Sequence, residues 1–293
     1  MGGGPSSDPD VSEGAKGGAP QGCSGSKGLM IRILAASAVI SVIAVLMSMV
    51  GRGGGNFYVP LLIAAGASMH EAATTAQLIL MATAAAAAVV FQRYKAVDWK
   101  LALVIDPPTD AMAFVGGICA HRFTSSSLKL VFAFLLVIAS FLMLRPVRER
   151  ERELKNRFGY WHRSFGGYRY VINLWLVLPI TAATGFVAGM VGISGGSFKI
   201  PLMVLAGGVP MRIAVGTSSV MVAVTALTGF LGHTLAGDLN LRWALPTAAS
   251  AVVGGLIGGR ISVKVDPKRL KHIFAYTTLL AAVFMTLNAF LSK

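Results

Sequence analysis

Two carboxylates sit where a hydrocarbon core would make them costly. Asp106 and Asp110 lie in the stretch IDPPTDA, residues 105–111, in the middle of a long apolar run. They are four residues apart and share a face if the run is helical. An intramembrane carboxylate points by default to a proton or ion path, so the chemistry open to this pair is proton coupling, with one Asp protonated at rest. Two other arrangements also accommodate them: an ion pair with Arg122 or Arg93, or a run split so that both lie in a wet loop. Pro107 and Pro108 remove two backbone donors and are expected to break or kink a helix at that point. His233, near the end of another apolar run, is a further candidate proton carrier, with polar packing as its alternative.

A second set of residues occurs twice. GRGGGNFYVPLL runs from Gly51 to Leu62, and GISGGSFKIPLM runs from Gly192 to Met203. A constant offset of 141 pairs Gly54 with Gly195, Gly55 with Gly196, Phe57 with Phe198 and Pro60 with Pro201. Farther on, an offset of 142 pairs Asp98 with Asn240 and Gly116–Gly117 with Gly258–Gly259. This is an internal duplication, with glycine- and proline-interrupted segments at matching positions. In a membrane protein that pattern marks a transporter's binding site, because a broken helix must turn its free amides toward protein or a water-filled cavity. The first N–H groups of a helix lack intrahelical partners and carry the positive end of its dipole. Glycine lets an anion approach them closely.

The candidate anion-binding residues are therefore Gly53, Gly54, Gly55 and Asn56 in the first copy, and Ser194, Gly195, Gly196 and Ser197 in the second. Gln77 and the pair Thr217 and Ser218, about one span beyond the glycines, are placed to close the other side of a pocket. Lys199, present in the second copy alone, either adds positive charge there or snorkels to an interface. Close helix packing through small residues accounts for the glycines equally well, and interhelical hydrogen bonding accounts for the Ser/Thr cluster.

These residues need elements to hold them. Of the 293 residues, 55% are hydrophobic and 13% are charged, with a mean hydropathy of +0.69. Soluble domains carry about 25% charged residues. The apolar residues fall into runs at 29–50, 57–67, 72–91, 101–120 and 128–144, then at 171–191, 198–209, 213–236, 243–263 and 270–291. The second run of each set is too short to span as a helix. The expected fold is an all-α polytopic membrane protein of two repeated helical halves, with about eight transmembrane helices and two short re-entrant Gly-rich segments. Residues 1–28 read as a disordered polar tail, 29–144 as the first transmembrane repeat, 145–170 as a basic cytoplasmic loop and 171–293 as the second repeat. Run length favours eight crossings, whereas the distribution of Lys and Arg leans toward ten with inverted repeats; eight is preferred.

The net charge of +14 is concentrated in short polar stretches, most densely from Arg145 to Arg169. Basic loops flanking spans follow the positive-inside rule, so the partners expected are membrane lipid and a small anion, not nucleic acid. Cys23 and Cys119 have no CxxC or Cys/His companion. With no HExxH, no Ser/His/Asp set and no phosphate-binding loop, neither an enzyme, a cofactor nor a metal is expected. Nothing in the residues specifies an oligomeric state.

The paired Gly-Gly motifs, each followed by an aromatic and by Val/Ile-Pro-Leu, together with AVGTSS at 214–219, resemble the sulfite exporter TauE/SafE family of membrane transporters. The resemblance extends over about residues 30 to 291 and is closer in the second half. It implies a secondary transporter, in the exporting sense of the family's name, for small sulfur-containing anions such as sulfite, sulfoacetate or other organosulfonates. It also implies a multi-pass protein of the cell inner membrane. The first copy departs from the second, with Arg52-Gly53 in place of Ile193-Ser194 and ATTAQ at 73–77 in place of AVGTS at 214–218. The two half-sites therefore need not contribute equally. The alternatives are an anion channel built on the same glycine breaks, and a membrane scaffold or sensor without transport.

Overall fold

In the computed structural model the described residues are 22–67, 69–119, 125–144, 158–191, 196–235 and 240–291. Among them the chain forms α1 (Gly22–Met49), α2 (Gly55–Ala64), α3 (Met69–Arg93), α4 (Trp99–Cys119) and α5 (Ser125–Leu144). A hairpin of β1 (Tyr160–Phe165) and β2 (Tyr168–Asn173) leads into α6 (Leu174–Val191). Then come α7 (Gly196–Pro201), prolonged by a π-helical turn at Leu202–Ala206, α8 (Met211–Leu235), α9 (Leu241–Lys264) and α10 (Pro267–Leu291).

Among the described residues four helical stretches are long and apolar enough to cross a membrane: Met30–Met49, Thr74–Arg93, Met211–Thr228 and Leu241–Lys264. By contrast α2, with 10 residues, rises only about 15 Å, half of a hydrocarbon core of about 30 Å. The apolar helix Gly196–Ala206 is equally short.

Packing crosses between the two halves of the chain. Helix α1 lies along α9, α4 along α6, α3 along α8, and α5 along α10. The small residues of α9 explain its central place. A Cβ on Gly254 would meet Ser41 O of α1 at 2.6 Å, and one on Gly258 would meet Val45 O at 2.2 Å. On the adjoining face, a Cβ on Gly255 would meet Thr83 O of α3 at 2.5 Å. Two stripes of small residues thus let one helix press against two neighbours at backbone distance, the usual packing solution where no aqueous hydrophobic effect drives association.

Three features depart from the sequence-based expectations. First, α4 continues through Pro107 and Pro108 without a break, so the aspartates stand on a helix and not in a loop. The proline rings leave the carbonyls of Leu103 and Val104 without their helical donors, and the closely packed α6 braces the next turn, where a Cβ on Gly185 would meet Thr109 O at 2.4 Å. Second, the fold is not wholly helical: the hairpin occupies part of the expected basic loop, and β2 runs across the 170/171 boundary. Gly166 and Gly167 have φ of 59° and 81°, the paired positive values of a two-residue type I′ turn that matches strand twist. The strands pair antiparallel from Phe165 opposite Tyr168 to Tyr160 opposite Asn173, and Tyr170 and Ile172 bury against the helical core. Third, α1 begins at Gly22, inside the stretch expected to be a polar tail.

Candidate functional site

The glycines of the first motif are fixed by packing and backbone conformation together. Gly51 and Gly53 have φ of 68° and 72°, a region costly for any residue with a Cβ. A Cβ at Gly51 would stand 2.5 Å from Val215 O, and one at Gly53 would stand 2.4 Å from Leu80 Cδ1. Gly54 is the left-handed N-cap of α2, with no side-chain capping bond, and Gly55 opens the helix. Asn56 lies in the first turn of α2, but its side chain is outside the described residues. In the second motif Ser194 and Gly195 are also outside the described residues, while Gly196 and Ser197 start α7 buried. A Cβ on Gly196 would reach Val222 Cγ2 at 2.7 Å and Arg52 Cα at 3.8 Å, which sets the two motifs side by side.

Hydrogen bonds tie these breaks to α8. Ser218 donates to Gly51 O at 3.0 Å, while Thr217 accepts from the Asp98 backbone N–H at 3.1 Å. Both hydroxyls are fully buried, and the partners they meet are backbone groups, as interhelical bonding requires. Gln77 is half-buried on α3. The side chain of His233 is outside the described residues.

The structure adds one cation, Arg52, and decides between the two readings of Lys199. Arg52 is 5% exposed. Its Nε and Nη2 donate to Ser197 Oγ at 3.0 and 2.6 Å, and its Nη1 donates to Thr278 Oγ1 on α10 at 2.8 Å. The guanidinium carbon lies 5.6 Å from the Phe274 ring centroid, within cation–π range. Lys199 is 1% exposed and does not snorkel: its Nζ donates to Asp106 and stands 4.0 Å from Asp110 Oδ1. Asp110 also accepts from Thr225 Oγ1 of α8 at 2.8 Å. The partner of the aspartates is thus Lys199 on α7, not Arg93; Arg122 is outside the described residues. In the first motif Tyr58, 141 residues before Lys199, is buried with its hydroxyl 3.3 Å from that of Thr83. A charged side chain inside a glycine-rich break was the signal for Arg52 that sequence reasoning did not use.

A further cluster ties the hairpin to the helices. Asp98 caps α4, accepting from the Lys100 and Leu101 N–H groups at 3.1 and 3.2 Å. Arg163 of β1 grips the same carboxylate with two bonds of 2.8 and 2.7 Å, and Tyr170 of β2 donates to it as well. Burial alone would raise the Asp98 pKa, but the hydrogen bonds from Arg163, Tyr170 and Leu101 outweigh it and hold the group below the usual carboxylate range. The Tyr170 hydroxyl is pushed upward, by burial first and by its bond to Asp98 second. Asn240, the counterpart of Asp98 in the second copy, caps α9 by accepting from Arg242 N–H at 3.1 Å, so the matched positions do the same local work.

Comparison with known proteins decides the family. The model of the family described as "Sulfite exporter TauE/SafE" matches residues 36–285. The chain belongs to the TauE/SafE family. It is similar to "Probable membrane transporter protein YunE" of Bacillus subtilis (strain 168), 28% identical over 199 residues, covering 66% of this chain and 71% of that one. It is also similar to "Probable membrane transporter protein MJ0441" of Methanocaldococcus jannaschii, 22% identical and covering 67% of this chain and 71% of the relative. A "Probable membrane transporter protein" of Xylella fastidiosa (strain Temecula1) is 30% identical over 102 residues, 34% of this chain and 39% of its own length. No solved structure matches significantly. In this TauE/SafE chain the two motifs meet at the Arg52–Ser197 bonds, and the ion pair of Lys199 with Asp106 lies on the same short helix as Ser197.

Proposed function

We propose that the protein is a secondary transporter that exports small sulfur-containing anions, such as sulfite, sulfoacetate and other organosulfonates, across the cell inner membrane. One observation carries the reading within the family. The two glycine breaks, 141 residues apart in sequence, meet inside the protein, where Arg52 of one bonds to Ser197 of the other. In this reading α2 and α7 are re-entrant segments of two repeated halves with eight crossings. Their shortness and the exchange of partners between halves, α1 with α9 and α6 with α4, support that arrangement. Gly53, Gly54, Gly55, Asn56, Ser194, Gly195, Gly196 and Ser197 line the anion's place at the helix starts, with Gln77, Thr217 and Ser218 behind them.

Asp106 and Asp110 are the proposed coupling groups, with His233 as a further carrier. Lys199 stabilises the ionised carboxylate, and proton uptake at Asp106 releases Lys199 and α7 with it. Because α7 carries both Ser197 and Lys199, protonation on one side of the segment is felt at the anion's place on the other.

The test is flux in liposomes that hold the purified protein, measured for sulfite, sulfoacetate, sulfate and chloride. Saturable movement of the sulfur anions in preference to chloride is expected. Flux that rises linearly with concentration would indicate a channel, and no flux from folded protein would leave the scaffold or sensor role.

A further inference from the structure

We infer that the guanidinium of Arg52 is the anchor of the transported anion, with the hydroxyl of Ser197 completing the cradle and Thr278 holding the guanidinium from α10. The inference rests on the transporter reading above and assigns its ligand class: an oxyanion with at least two oxygens able to meet the arginine fork.

The argument is one of charge balance. Two cations lie in the same interior. Lys199 has Asp106 and Asp110 beside it. Arg52, equally buried, has no carboxylate within ion-pair distance among the described residues, and its partners are the neutral oxygens of Ser197 and Thr278. A buried charge without a counterion is strongly unfavourable, and the Phe274 ring beside it returns only part of that cost. A guanidinium has five N–H donors. Three are taken by hydroxyls, which leaves two for a ligand.

The partners also suit a guest. The Ser197 hydroxyl can turn its hydrogen toward an incoming oxygen, while Thr278 already donates its own to Phe274 O at 2.6 Å; Arg meets planar or pyramidal oxyanions with two parallel bonds, a geometry a spherical halide cannot return. The position is central: Arg52 belongs to the first glycine break, Ser197 to the second and Thr278 to α10, so the guanidinium links all three elements. Sequence comparison of the two copies places Ile193 opposite Arg52, so the second motif supplies no arginine at the matching position.

The experiment is calorimetric titration of the purified full chain with sulfite, methanesulfonate, nitrate, phosphate and chloride, together with thermal unfolding of each variant. Arg52→Lys keeps the charge and loses the fork; Arg52→Met keeps the bulk and removes the charge. Oxyanion affinity is expected to fall roughly 10- to 100-fold in Arg52→Lys and to vanish in Arg52→Met. The anion-free Arg52→Met protein should unfold at or above the wild-type temperature, because it no longer buries an unpaired charge. Wild-type affinity in either variant overturns the assignment, and so does an Arg52→Met protein that loses stability while a folded Arg52→Lys protein binds as tightly as wild type. Arg52-dependent binding of nitrate or phosphate without sulfur anions would keep the anchor and refute the sulfur substrate. Binding of sulfite that ignores both substitutions would do the reverse. No oxyanion binding by the wild type would refute the anchor.

Discussion

Lys199 and Asp106 are worth more as a pair than either is alone. Removing the lysine leaves the buried Asp106 carboxylate without the cation it pairs with, and breaking a buried pair costs about 3–5 kcal/mol. Lys199→Met should therefore lower thermal stability sharply, and the double variant Lys199→Met/Asp106→Leu should recover most of the loss, as scanning calorimetry in detergent would show. The glycines make a second contrast at this scale. Gly51 has a positive φ and its missing Cβ points at a backbone oxygen 2.5 Å away, whereas Gly55 faces Leu80 Cδ2 at 3.4 Å. Gly51→Ala should cost several kcal/mol and Gly55→Ala less than about 1 kcal/mol; equal unfolding shifts for the two would contradict the packing account. These contacts were only partly legible in the sequence. The positions of the glycines were readable from their repetition. The direction of each missing side chain, and the pairing of Asp106 with Lys199 93 residues away, depend on tertiary contacts that no local spacing encodes.

Among elements, the hairpin is the largest departure from expectation. The signal was present: FGGY, with two glycines between stretches rich in aromatic and branched residues, is a hairpin turn by its chemistry. The same stretch is dense in arginine, which by composition alone favours a basic loop. Yet Arg163 lies on β1 with its side chain 18% exposed, bound to an Asp98 side chain that has no exposure. The Asp98 pKa is lowered in the folded protein, so the strap contributes fully above the unfolded-state value of about 4 and is lost as pH falls through the depressed folded value. Arg163→Ala should remove about 2 kcal/mol at neutral pH. Asp98→Asn should flatten the acid limb of the stability profile below about pH 4, which unfolding against pH would reveal. An unchanged acid limb in Asp98→Asn would show that other carboxylates govern it. Helix α4 teaches a complementary lesson. A pair of prolines does not end a helix when a neighbour braces it at backbone distance, and the sequence of α4 alone carries no sign of Gly185 on α6.

At the scale of the whole molecule, the surface agrees with a lipid surround. Large apolar side chains stand exposed on many helices, among them Leu34, Leu103, Phe134, Leu245 and Leu280, each at 60% or more. The class of the protein was legible because length of apolar run and absence of charge are properties a bilayer imposes directly on sequence. The meeting of the two halves was legible only as a repeat, and its geometry comes from packing that interleaves α9 with α1 and α3. In the proposed function the assembled molecule couples an anion to a proton through α7.

The direct measurement is sulfoacetate movement against its own concentration gradient in proteoliposomes driven by an imposed pH difference. Sulfoacetate stays ionised and crosses lipid poorly, so leakage does not mask the protein. The wild type should accumulate it against the gradient, and Asp106→Asn, in which Asp110 remains near Lys199, should still exchange it downhill without responding to pH. Uphill accumulation by Asp106→Asn equal to wild type, or wild-type flux indifferent to the pH difference, would contradict proton-coupled transport through this site.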